Sequence, residues 1–355
     1  MPAPMLQSSP AWETSDLKPL VSILIPAYNS QQWLGDTLRS AIAQTWERKE
    51  IIVVDDGSRD QTLAVARQFE SQGVNVIAQD NQGASAARNK AFSVCQGDYI
   101  QWLDADDLLA PHKITRQMEA LERRPGKRVL LSGAWGRFLY RHSRAKFIPT
   151  GLWRDLSPQD WLVCKLADNV FMQTGAWLVS RELTEQAGIW DTSLLADDDG
   201  EYFCRVLLGT DEIRFVPDAR VYYRASGSGS LSHLGRSQKK IDAQWRSYQL
   251  HINHLQSLEQ SARVRTACLT YLQTSLLYFY PERPDIVEQA KELAKNLGGQ
   301  LEPPPLSWKY SWINSIFGYR TAKRARLDLP LLKESWIRYW DKLLFHIEKS
   351  ELPKG

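Results

Sequence analysis

Residues 98–107 read D-Y-I-Q-W-L-D-A-D-D, an apolar run that ends in three carboxylates. Tyr99, Ile100, Trp102 and Leu103 have the composition of a short buried strand, and Asp104, Asp106 and Asp107 stand where it reaches the surface. Carboxylates crowded at the rim of a buried strand repel one another unless a cation shares them. Two of them one residue apart suit a hard divalent ion, which takes one or two carboxylates together with phosphate oxygens and water. An isolated D-x-D is more often a solvated turn or a helix cap. The strand in front of this one favours the cation, so Asp104 and Asp106 are candidate ligands for Mg2+ or Mn2+.

Working outward, short β-branched runs alternate with amphipathic stretches, the pattern of a mostly parallel sheet covered by helices. Strands are expected over 21–25, 50–54, 74–78, 98–103 and 128–132, with helices over 31–44, 60–69, 84–95 and from Pro111 toward Arg123. The middle of the chain, 139–225, is less periodic and rich in Trp, with one strand over 176–179 and a helix over 200–208. Residues 225–233 (A-S-G-S-G-S-L-S-H) have the composition of a lid. Residues 238–295 look helical, and Pro303-Pro304-Pro305 separates a final segment.

In a parallel sheet with helices on its faces, ligands bind beyond the carboxyl ends of the strands. Three such ends are polar here: Pro26-Ala27-Tyr28-Asn29, Asp55-Asp56-Gly57-Ser58 and the acidic triplet. Their order is recognisable. Residues 21–29 (V-S-I-L-I-P-A-Y-N), 55–62 (D-D-G-S-R-D-Q-T), 81–89 (N-Q-G-A-S-A-A-R-N) and 97–107 closely resemble the family 2 glycosyltransferases, over about residues 20–232.

The resemblance implies an α/β chain with the GT-A fold, a Rossmann-like nucleotide-diphospho-sugar transferase with a mixed sheet flanked by helices, here followed by a helical C-terminal region. It divides the chain into an N-terminal extension at 1–19, a catalytic domain at 20–233 and the helical region at 234–355. Within the catalytic domain it sets a donor half at 20–132 and an acceptor half at 133–233. It implies that Pro26, Tyr28 and Asp56 hold the nucleobase and ribose, with Tyr28 stacking on the base, and that Ala27 and Asn29 belong to the donor site with them. Asp104 would face the ribose and donor sugar, Asp106 would bind the cation, and Arg88 would partner these carboxylates or the phosphate. UDP-sugars are the family's commonest donors.

The acceptor side carries Gly188-Ile189-Trp190-Asp191, then Asp197-Asp198-Asp199, then Arg205. Acids at the start of a helix need no function, because they suit its positive end. The resemblance assigns the general base to this cluster. Counting back from Arg205 puts it on Asp199, with Asp198 as the alternative one residue away. His233 is a further candidate for the cation or the diphosphate. Inverting transfer uses no covalent intermediate, so a Ser/His/Asp or Cys/His constellation is not required. A Q-x-x-R-W signature is absent, which favours transfer of one sugar over polymerisation.

The whole chain narrows these choices. A net charge of +3 over 355 residues does not point to nucleic acid as a partner. Cys95, Cys164, Cys204 and Cys268 are widely separated, which fits a reducing, cytoplasmic compartment better than a disulfide framework. No run approaches the roughly 20 apolar residues of a membrane span. The expected partners are a nucleotide-diphosphate sugar and a saccharide, lipid-linked or protein-linked acceptor. A sugar nucleotidyltransferase would need a Gly-rich basic loop after the first strand, and a dead scaffold would not need acids on both sides.

The tail, 306–348, mixes Trp308, Trp312, Phe317, Trp336 and Trp340 with Lys309, Arg320, Lys323 and Arg324. Two readings are open for it. One is an apolar helix face packed on the catalytic part, the other peripheral contact with the inner face of a membrane, through aromatic anchors and bases.

Overall fold

The computed structural model describes residues 18–126, 128–225 and 237–351. The first half follows the expected alternation: β1 (Val21–Ala27), α1 (Leu34–Ile42), β2 (Lys49–Asp56), α2 (Thr62–Arg67), β3 (Val74–Gln79), α3 (Ala84–Val94) and β4 (Tyr99–Trp102). Then come β5 (Leu108–Leu109), α4 (Lys113–Arg123), β6 (Val129–Phe138), β7 (Lys146–Phe147), α5 (Pro158–Asp168), β8 (Val179–Ser180), α6 (Arg181–Ala187), α7 (Asp198–Leu208) and β9 (Glu212–Arg224). Helices α8 (Gln238–Leu258), α9 (Ala262–Phe279), α10 (Pro284–Asn296), α11 (Trp308–Phe317) and α12 (Tyr319–Glu351) complete the described chain.

One sheet has the order β3-β2-β1-β4-β8, parallel except for β8, and a second has the order β5-β9-β6-β7. Every residue of β1 is buried, as its sequence, apolar except for Ser22, suits a strand covered on both faces. The sequence alternates at helical period between these strands because α1 and α3 each present one apolar stripe. Leu34, Leu38 and Ala41 of α1 and Ala87 and Ala91 of α3 are buried. On the α3 side the core continues without a break into Trp102, Trp161, Trp177, Trp190 and the buried faces of α8, α9 and α10. Trp190 stacks on Tyr202 with centroids 4.0 Å apart, and both meet Trp102 edge-on. Truncating such a side chain to Ala costs about 3–5 kcal/mol.

The middle of the chain departs most from expectation. Helices α5 and α6 and strands β7 and β9 occupy the region, 139–225, that reads as irregular. The strand over 128–132 runs on to Phe138, and that over 176–179 is a 3-10 turn, Thr174–Ala176, leading into the two residues of β8. Strand β9 is hidden by Pro217. It pairs with β6 over 212–216 and again over 221–224, and the four residues between form an excursion opposite the break at Gly133/Trp135. Helix α7 begins at Asp198, earlier than residue 200, so two of the clustered acids lie in its first turn. Residues 226–233 of the lid composition, with His233, and residues 1–17 of the extension lie outside the described residues.

Candidate active site

The carboxyl ends of β1, β2 and β4 come together. Ala27 lies opposite Asp55, and Leu103 donates its N–H to the Leu24 carbonyl at 3.0 Å, so Asp104 is the first residue to leave the sheet. Pro26 and Ala27 are buried at the end of β1 and form a floor, whereas the Tyr28 ring is 44% exposed at the lip. Asn29, with φ of 48°, ties two loops together: its N–H donates to Ser58 Oγ at 3.0 Å and its Oδ1 accepts from the Arg59 N–H at 2.9 Å.

The adjacent acids differ in what their oxygens do. Asp56 accepts from Gln79 Nε2, Asn81 Nδ2 and the N–H groups of Gln82 and Gly83 at 2.7–3.1 Å, so it holds the loop before α3. Asp55 is equally buried. Its Oδ2 accepts from the Ser58 N–H at 3.2 Å, but its Oδ1 has no partner among the described residues. Gly57 between them and Ser58 has φ of +68°, and a Cβ there would sit 2.7 Å from the Asn81 nitrogen. Only glycine fits this turn without strain.

Within the acidic triplet, Asp107 is fully buried and supports the others from below. Its Oδ1 accepts the Arg224 N–H at 2.7 Å and its Oδ2 accepts from Gln173 Nε2. Burial, together with Asp106 and Asp104, pushes its pKa well above the usual carboxylate range. Arg224 also donates through Nε to the Asp106 carbonyl at 2.8 Å and stacks over Trp33 and Phe138. Asp104 and Asp106 keep partial exposure above this support. Among the described residues no group of three or more His, Cys, Asp or Glu could hold a metal ion unaided. The hard oxygens of Asp104 and Asp106 fit Mg2+ or Mn2+ in a shell completed by phosphate and water.

Arg88 of α3 joins the two halves. It is 5% exposed, and its guanidinium donates to Asp104 Oδ1 at 2.8 Å and to Asp198 Oδ2 at 2.9 Å while lying 4.3 Å from the Trp190 ring centre. Burial alone would lower its pKa, yet Asp198 and Asp104 hold it above its ordinary value. Ser85 also donates to Asp198 at 2.9 Å, so Asp198 is the more tethered of the two base candidates. Asp199 accepts from Thr174 Oγ1 at 3.3 Å and from the Gly200 N–H. Burial first, then Asp198 and Asp197, raise its pKa to about 7. Asp197, at the N-cap of α7 with φ of 55°, is anchored by Ser247 Oγ at 2.8 Å and Gln244 Nε2 at 3.1 Å from α8. Arg205 pairs with Glu201 at 2.7 Å and also donates to the Ala187 carbonyl.

Several site residues escape sequence reasoning. Asn89 pairs with both main-chain groups of Trp190 at 2.8–2.9 Å, joining segments 101 residues apart with no local sign of it. Arg224 and Gln173 are fixed only by long-range packing. Asp55 could have been found, since it ends a buried strand beside Asp56.

Residues 22–184 match the profile described as Glycosyl transferase family 2. An uncharacterized glycosyltransferase of Rickettsia typhi is 38% identical over 113 residues, 32% of this chain and 35% of that protein. One of Rickettsia bellii is 35% identical over 134 residues, 36% of this chain and 19% of that protein. TuaG of Bacillus subtilis, a glycosyltransferase provisionally named for teichuronic acid biosynthesis, is 38% identical over 110 residues, 30% of this chain and 44% of its own. The matched segments thus span less than half of each of these relatives. S. aureus TarS 1-349 in complex with UDP-GlcNAc superposes with a TM-score of 0.63 at 16% identity, covering 87% of this chain and 92% of that one. The mannosyltransferase PcManGT of Pyrobaculum calidifontis, in complex with GDP-Man and Mn2+, gives 0.51 at 16% identity over 92% and 89% of the two chains. Residues 22–184 of this chain thus match glycosyl transferase family 2, and its fold is that of GT-A glycosyltransferases such as TarS, followed by a helical C-terminal region.

Proposed function

We propose that the chain is an inverting glycosyltransferase that moves a single sugar from a nucleotide-diphosphate donor to an acceptor hydroxyl. The observation that carries this reading is Asp199, a carboxylate with its pKa raised to about 7 that faces, through Asp198 and Arg88, the donor-side Asp104. A base poised near neutrality removes the hydroxyl proton as that oxygen attacks the anomeric carbon from the side opposite the leaving nucleotide. Tyr28 offers an exposed ring for the nucleobase, and the unpartnered Asp55 Oδ1 offers an acceptor for a base N–H at the end of β2. Asp104 and Asp106 would hold a divalent cation, which neutralises charge on the departing diphosphate. Arg88 keeps Asp104 oriented toward the sugar while preventing its repulsion of Asp198.

Relatives in complex with UDP-GlcNAc and with GDP-Man and Mn2+ support a nucleotide sugar and a cation here, with a UDP-sugar as the first choice. The acceptor is a hydroxyl of a saccharide, lipid-linked or protein-linked molecule. Thermal unfolding with a panel of nucleotide sugars and Mn2+ tests the donor, since a ligand that binds only the folded state raises its stability with concentration. A rise in unfolding temperature with a UDP-sugar, reversed by a chelator, is expected. No rise with any nucleotide sugar would contradict the proposal.

A further inference from the structure

Helix α12 docks on the catalytic part with its charged face and turns its apolar face outward. Glu334 pairs with Arg137 at 2.7 Å, and Asp341 with Arg141 at 2.7 Å while also accepting the Tyr140 N–H at 2.9 Å. Glu348 pairs with Arg141 at 2.7 Å, and Arg338 donates to the Ala225 carbonyl at 2.6 Å. Residues 334, 338, 341 and 345 recur at helical spacing and define the inner face, with Phe345 against Tyr140. On the other side Leu332, Trp336, Trp340 and Leu343 form a stripe, with the two Trp rings 70% and 56% exposed. Helix α11 adds Trp308, 80% exposed, together with exposed Trp312, Ile316 and Phe317. The tail helix therefore does pack on the catalytic part, but through its charged face and Phe345, with its Trp side chains turned outward.

The charges point the same way. Three of the six acids after residue 300 are turned inward to Arg137 and Arg141. Lys309, Arg320, Arg324, Lys333 and Lys342 are exposed and have no ion pair among the described residues. At about 100° per residue, Lys333 and Lys342 flank the apolar stripe on either side. Burying apolar side chains in the interface and placing bases near an anionic surface both favour binding. No described helix is long and apolar enough to cross a membrane, which leaves a helix lying in the interface as the bilayer geometry this face suits.

We propose that the outward face of α12, with the exposed aromatics of α11, docks on an anionic lipid surface. A second copy of the chain would also cover apolar area, but its own flanking bases would repel those of the first. Docking here is tied to the cleft, because Arg338 binds the Ala225 carbonyl and the neighbouring Arg224 binds the Asp106 carbonyl.

The test is sedimentation of the full chain with phosphatidylcholine vesicles, with and without phosphatidylglycerol. Binding at low salt only to the phosphatidylglycerol vesicles is expected, weakened at least about tenfold in Trp336→Ser/Trp340→Ser and in Lys333→Glu/Lys342→Glu. Lipid-free donor hydrolysis by each variant shows that it is folded, and reports on the transfer reading separately. Equal partition of wild type and folded variants would overturn the proposal. So would a wild type that ignores vesicles and forms a dimer by light scattering that the Trp variant abolishes, since the face would then be an interface between copies.

Discussion

Arg88 and Asp198 form an ion pair at 2.9 Å across the joint between α3 and α7. The same guanidinium holds Asp104 at 2.8 Å, so one buried cation bridges the acids of the triplet and those of α7. Replacing it leaves those carboxylates facing one another. Breaking a buried pair typically costs 3–5 kcal/mol, but Asp198 and Asp104 keep 20% and 30% exposure, so about 2 kcal/mol is expected for Arg88→Met. Urea unfolding measures it: the midpoint should fall at unchanged slope. A midpoint equal to wild type would remove the bridge from the description of the cleft.

The pH dependence of transfer follows from Asp199. Its pKa is raised to about 7, so below neutrality the protonated form dominates and cannot accept the hydroxyl proton. The rate should climb roughly tenfold per pH unit on the acid side and level off above about pH 7. A profile flat from about pH 5 to 8 would assign the limiting proton transfer to another group.

Gly57→Ala addresses the turn between the donor loops. The positive φ and the contact with the Asn81 nitrogen both oppose a side chain there, and a cost of about 1–3 kcal/mol is expected. Because Asn81 and Gly83 also hold Asp56, donor affinity should fall with it. Calorimetric titration with the nucleotide sugar reads the second effect, and unchanged affinity would separate the turn from the donor site.

The donor half was legible because its signals are local. Residues 21–25 and 50–54 are strand-like runs, apolar except for Ser22 and Glu50, and Pro26 to Asn29, Asp55 to Ser58 and the triplet mark where the strands end. The acceptor half was less so. Pro217 disguises β9, while α5 and α6 carry start signals that pass for turns, Ser157 before Pro158 and Ser180 capping the Leu183 N–H. Within the site, Asp104, Asp106, Asp198 and Asp199 are visible as acidic runs. The division of labour among them depends on Arg88, Ser85 and Thr174, and that depends on which face each helix buries. Among the described residues Trp102, Trp177 and Trp190 lie in the core, whereas Trp308, Trp312, Trp336 and Trp340 of the tail face outward. Periodicity alone cannot say which face of an amphipathic helix meets the protein, and in α12 it is the charged one.

Asp199→Asn offers the most direct measurement. Transfer to acceptor and binding of the nucleotide sugar should be measured on the same preparation. The side chain keeps its size and its place beside Thr174, so donor affinity should stay within about twofold while transfer falls by two to four orders of magnitude, the usual worth of a general base. Transfer by the variant at the wild-type rate, with the donor bound as before, would contradict Asp199 as the base.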